Sequence, residues 1–192
     1  MRIVCIYLGR KVSNMKEYFF EDVEDLIGHL KSLDSDMGPI RLQKTIYFLY
    51  AFYGATYGSI KGVVQGNSDN LLSEIGDSIY PPKLFDAKFE AWQYGPVIRD
   101  VYFKNKTGDY DELEDKLLEK YTDRNERDVI VFLDDIVSDL NELSDFALVD
   151  RTHRDEAWRK KFDKMNPYQS EEIDNDELIA EYKKRIEEVS KI

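Results

Sequence analysis

The sequence contains a single cysteine, Cys5, in 192 residues. That excludes an internal disulfide framework and any cysteine-rich zinc module. Its two histidines, His29 and His153, lie far apart and form no HxxxH or HExxH pattern, so no metal site is expected. Long apolar runs are also lacking. The stretch from Ile3 to Leu8 has six residues, against the roughly 18 that a membrane span needs. It is shorter than the ~7–15-residue core of a secretion signal, and no small-residue cleavage site follows it. A lone thiol without targeting signals leads to the expectation of a cytoplasmic protein with no membrane partner.

Positive charge is in deficit. With 27 basic and 39 acidic side chains the net charge is −12, whereas gripping phosphate requires a concentrated positive surface. Direct nucleic-acid binding is therefore not expected, and the balance suits a partner with a basic surface, or simply solubility. Catalytic signatures are missing too: the sequence holds no GxSxG elbow, no GxxxxGK[ST] loop and no GxGxxG. The adjacent acids Asp134-Asp135 and Glu171-Glu172 would point in different directions on a helix. No catalytic residue and no cofactor site is read from the chain, and the expectation is a non-enzyme.

What the sequence does contain is core material: 42% hydrophobic and 13% aromatic residues, over a length suited to one domain. The first fourteen residues read either as an appendage upstream of a second start at Met15 or as an ordinary edge strand. From Met15 to Leu33, Phe19, Phe20, Val23, Leu26, Ile27, Leu30 and Leu33 recur at helical spacing, with acidic residues near the start where the helix dipole favours them. Gly38-Pro39 interrupts. Ile40 to Tyr57 is apolar or aromatic on every face, which predicts a buried central helix. Residues 60–82 have loop composition and read as a variable insertion. Ala87, Phe89 and Ala91 alternate with Lys88, Glu90 and Trp92, the period of a strand, and Gly95-Pro96 is read as a turn followed by a helix that Pro96 opens.

Further helices are predicted around Tyr110–Tyr121, along Val129–Leu143, around Trp158 (154–164), and from about Asp174 to Val189. On the second of these, Asp128, Asp135, Asp139 and Glu142 line the face opposite the apolar stripe. That face is either solvated or a contact for a basic partner whose approach it would steer. The fold class expected is mainly α: a single helical domain over 15–166 with a small β element before the YGP turn, and a separate C-terminal helix within 167–192.

Four motifs occur in order: Leu42-Gln43-Lys44-Thr45-Ile46-Tyr47-Phe48, Phe89-Glu90-Ala91-Trp92-Gln93-Tyr94-Gly95-Pro96-Val97, Val101-Tyr102, and Thr152-His153 with Trp158 beyond. Together they resemble the SocA-like Panacea domain of bacterial antitoxins and prophage genes, over about Glu21 to Phe162. The resemblance implies a mainly helical fold and a protein that acts by binding. Its partner would be a toxin encoded beside it, neutralised directly or by delivery to a protease such as ClpXP. The alternative is a prophage-encoded, anti-CRISPR-like inhibitor of a host nucleic-acid defence complex, working through its acidic surface.

The motif residues also carry a physical reading. Trp92, Tyr94 and Trp158 are amphipathic rings that need a polar partner when buried, and His153 is a candidate to supply one. Either the block specifies the core, or the Trp92–Tyr94 face is an exposed anchor at an interface. Gln43 and Lys44 either line a groove or finish a helix end, with Lys44 and Glu90 expected as a buried ion pair.

Overall fold

The computed structural model describes residues 16–35, 37–60, 80–162 and 170–191. The expectations for 1–14 and most of the 60–82 insertion lie outside them.

Helix α1 (Val23–Leu33) begins later than the periodicity from Met15 suggests. Asp22 caps it, its carboxylate accepting the Glu24 amide at 2.9 Å. Phe19 and Phe20 are buried as expected but sit in a bend before the helix, where their amides donate to the carbonyls of Lys83 and Leu84 at 2.9 and 2.7 Å. Apolar spacing reports burial, whereas a capping aspartate and a competing backbone partner set where the helix starts.

The centre is α2 (Pro39–Ala55), with proline in its first turn and buried residues on all faces. Around it pack α3 (Arg99–Thr107), α5 (Arg124–Asn141), α6 (Asp145–Thr152) and α8 (Asn175–Val189). Helix α5 is as amphipathic as its sequence reads, and a capping box between Asp123 and Glu126 fixes its start. The helix expected through Tyr110–Tyr121 is not continuous. Gly108 adopts a left-handed φ of +83° and ends α3, turns follow, and only the short α4 (Leu117–Lys120) is helical. Tyr110, Leu117 and Tyr121 are nevertheless buried. Helix α6, which no periodicity announced, is capped by Ser144 through the Ala147 amide. Helix α7 (Glu156–Lys161) then leads to a cap at Phe162.

The β element is a hairpin of β1 (Phe89–Trp92) and β2 (Gly95–Ile98), paired antiparallel from Phe89 opposite Ile98 to Trp92 opposite Gly95. Pro96 therefore lies in a strand rather than opening a helix, and α3 starts only at Arg99. A proline is tolerated there because β2 is an edge strand, and α2 side chains complete that edge. Gln43 Oε1 accepts the Ile98 amide at 2.7 Å, its Nε2 donates to the Ile98 carbonyl at 3.3 Å, and Lys44 Nζ donates to the Pro96 carbonyl at 2.8 Å. The other edge of β1 is taken by residues 171–173: Ala91 N donates to Glu171 O at 2.9 Å, and Ile173 N to Phe89 O at 2.7 Å.

Candidate functional site

The hairpin, the start of α2, the start of α3 and the side chains of Phe162 and Ser170 enclose a cleft of about 660 Å³. Lys44 forms part of its floor. The side chain is 1% exposed, and burial pulls its pKa down to about 7. It reaches under the turn because residue 95 has no side chain: a Cβ there would lie 2.9 Å from Lys44 Cε.

The ion pair expected between Lys44 and Glu90 is replaced by separate partnerships. Burial would raise the Glu90 pKa, but hydrogen bonds from Arg99, Ser170 and Trp92 outweigh it and hold the carboxylate at about 2. Arg99 grips it with Nε at 2.9 Å and Nη2 at 2.6 Å, Ser170 Oγ donates at 2.6 Å and Trp92 Nε1 at 2.8 Å. With four donors already on it, Glu90 is committed to partners other than Lys44.

The aromatic motif residues divide by exposure. Trp158 is buried, and its Nε1 donates to the Trp92 carbonyl at 3.1 Å, tying α7 to the hairpin. The expected hydrogen bond to the hairpin thus comes from Trp158, while His153 stacks on the Trp158 ring at 4.2 Å between centroids. Trp92 is half-buried, with the Arg99 guanidinium 5.2 Å from its ring centroid and Tyr102 at 5.3 Å. Tyr94, at the hairpin turn, is 55% exposed.

Tyr47 points elsewhere, to a cluster that sequence reading missed. Its hydroxyl and that of Tyr182 donate to Asp155 Oδ2 at 2.9 and 3.0 Å, and Arg185 Nη1 donates to Oδ1 at 2.7 Å. Burial raises the Asp155 pKa despite the Arg185 contact. Committed to these partners, the Asp155 carboxylate makes no cap for α7. Glu181 from α8 does so instead, accepting the amides of Glu156 and Ala157 at 2.9 and 3.0 Å. An aspartate just before a helix reads from sequence as an ordinary cap, and nothing local signals partners some thirty residues onward.

Of the adjacent pair on α5, Asp134 turns inward to His29 while Asp135 is exposed. Asp128, Asp139 and Glu142 are exposed as well, with Val131 on the same flank of the helix. Among the described residues there is no group of three or more His, Cys, Asp or Glu placed to hold a metal ion, and no helix long and apolar enough to cross a membrane.

Residues 78–159 match the family model described as "Antitoxin SocA-like, Panacea domain". The resemblance read from the motifs is thereby found over the stretch that holds the hairpin, Glu90, Trp92, Tyr94, the acidic face of α5 and Trp158. The Leu42–Phe48 motif of α2 lies outside the matched residues. Comparison with curated proteins and with solved structures gives no match.

Proposed function

We propose that this chain is a non-enzymatic, antitoxin-like protein that neutralises a cognate toxin by holding it against the hairpin and its cleft. The observation that carries the reading is Tyr94, exposed at the turn of a hairpin whose other large residues are tied into the scaffold. Rigid aromatic anchors beside a cleft are what interfaces use as energetic centres. The exposed carboxylates Asp128, Asp135, Asp139 and Glu142 supply a negative face that steers a basic partner.

The test is co-expression of the chain with the product of the adjoining gene in a growth-rescue assay, combined with co-purification. Rescue with a stable complex is expected, and Tyr94→Ala should abolish both without altering the melting temperature. Rescue that survives only in hosts carrying a particular protease would assign neutralisation to delivery for degradation.

The four carboxylates of the α5 face also support a second reading, an inhibitor that occupies the phosphate channel of a host nucleic-acid defence enzyme. Under it, the purified chain would compete with nucleic acid for that enzyme, and growth rescue from a neighbouring toxin would fail.

A further inference from the structure

The floor of the cleft holds a buried lysine that is paired with none of the described carboxylates. Among the described residues, Lys44 Nζ donates one hydrogen bond, to the Pro96 carbonyl at 2.8 Å, and burial pulls its pKa down. An ammonium has three donors, so the side chain retains hydrogen-bonding capacity in a place where water is scarce. The carboxylate nearest to it along the hairpin, Glu90, is saturated by Arg99, Ser170 and Trp92. Above the floor stand aromatic and apolar walls, among them Ile40, Trp92, Tyr94 and Phe162.

We infer that the cleft receives the free C-terminal carboxylate of a partner polypeptide, with the Lys44 ammonium as its counter-ion and the rings of Trp92 and Tyr94 enclosing the terminal side chain. The assignment rests on the reading of the chain as a protein-binding antitoxin and names what its hairpin grips. Three observations select this occupant. A cleft of about 660 Å³ falls within the size of sites that bury a short ligand or chain end. The cation lies at 1% exposure behind the rim, so the anion must be carried at the tip of the entering group. A chain terminus does that, whereas an internal acidic residue brings a continuing backbone on both sides. Finally, a surface charged at −12 repels a generally acidic partner, so the anion is a single group on a body that is otherwise neutral or basic.

The arriving carboxylate favours the charged form of Lys44, so binding above neutral pH takes up a proton. The desolvation cost of Lys44 is already met in the folded chain, so the incoming carboxylate gains an attraction that little solvent screens, against its own cost of leaving water.

The experiment uses the full chain and two matched libraries of short peptides, identical except that one ends in a free carboxylate and the other in a carboxamide. Retained peptides are measured by intrinsic tryptophan fluorescence, to which Trp92 and the buried Trp158 both contribute, and by calorimetry in buffers of different ionisation enthalpy. Expected are retention from the carboxylate library alone, loss of about tenfold or more in affinity in Lys44→Met, and proton uptake at pH 8. Equal retention of carboxamides, unchanged affinity in Lys44→Met, or absence of any retained peptide overturns the inference. Should Lys44→Met fail to fold, proton uptake by the wild-type chain decides alone. If the peptides fail while the wild-type chain still neutralises its toxin, the carboxylate assignment falls and the antitoxin reading stands; if neutralisation itself is absent, that reading falls.

Discussion

Thr152 Oγ1 occupies the space that a side chain at position 95 would need: a Cβ built on Gly95 would lie 2.4 Å from it. Gly95 also holds a φ of +90°, where L side chains are strained. The turn of the hairpin is thus locked from α6, through a buried threonine whose hydroxyl is fixed by donation to Val149 O at 2.8 Å. Gly95→Ala should combine backbone strain with overpacking and destabilise the protein by about 2–4 kcal/mol. Chemical denaturation measures it; a loss under about 0.5 kcal/mol would show that the hairpin shifts freely and that the lock does not exist.

Trp158 and Tyr94 belong to the same sequence pattern yet should respond oppositely to truncation. Trp158→Ala removes a buried ring stacked between His153 and Phe162, with centroids at 4.2 and 4.5 Å, and should cost about 3–5 kcal/mol of stability. Tyr94→Ala, at an exposed turn, should stay within about 0.5 kcal/mol while partner binding is lost. Thermal melts of the two variants beside a pull-down separate scaffold from contact. A large stability loss from Tyr94→Ala would place it in the scaffold instead.

Periodicity was informative wherever one helix face meets one core. Helix α5 follows its apolar stripe, and the all-apolar α2 is central because only a helix surrounded by others can bury every face. It misled wherever the backbone found another partner: at Asp22, which starts α1 late; between Tyr110 and Tyr121, where turns leave only the short α4; and at Pro96, whose strand is completed by Gln43 and Lys44. The motifs pointed to the cleft, since their residues from α2 and the hairpin converge there. Neither the Asp155–Tyr47–Tyr182–Arg185 cluster nor the Glu181 cap was legible, because both are made across chain separations that no local pattern encodes.

His29 joins three segments through its ring. Nδ1 meets Asp115 and Nε2 meets Asp134, each at 2.8 Å, linking α1, the turns before α4, and α5. Burial lowers its pKa, but the hydrogen bonds with Asp134 and Asp115 outweigh it and leave the pKa above the ordinary 6.5. A raised folded-state pKa contributes stability that is full below the unfolded value and is lost as pH rises through the folded one. The stability that His29 contributes should therefore be lost as pH rises above about 6.5, so the wild type should lose stability relative to His29→Gln across that range. Urea denaturation over that pH range tests it; identical slopes for both proteins would exclude His29 as the source.

The exposed carboxylates of α5 predict a salt-dependent association. Asp135→Lys with Asp139→Lys reverses charge at two solvent-facing positions and should alter stability by less than about 1 kcal/mol. It should slow association with a basic partner most at low ionic strength, where screening is least. Stopped-flow association at low and high salt provides the reading, and equal rates for wild type and variant at low salt would mean that this face is merely solvated.

Lys44 gives the last test, because its burial has a sign that stability measurements can read. The folded-state pKa is drawn down to about 7 from the ordinary 10.5. Between those values the unfolded chain binds a proton that the folded chain does not, so stability rises with pH across the window. Below pH 7 the folded protein carries the full cost of a buried ammonium. Lys44→Met removes that cost and also the hydrogen bond to the Pro96 carbonyl, an acceptor whose loss of a partner costs about 1–3 kcal/mol. The variant should therefore be more stable than the wild type at pH 6, by on the order of 2 kcal/mol, and less stable at pH 10, where the lysine is neutral in the fold. Denaturation at the two pH values would reveal the crossover. A difference that did not change with pH would mean that Lys44 keeps its proton throughout, held by solvent reaching the floor of the cleft.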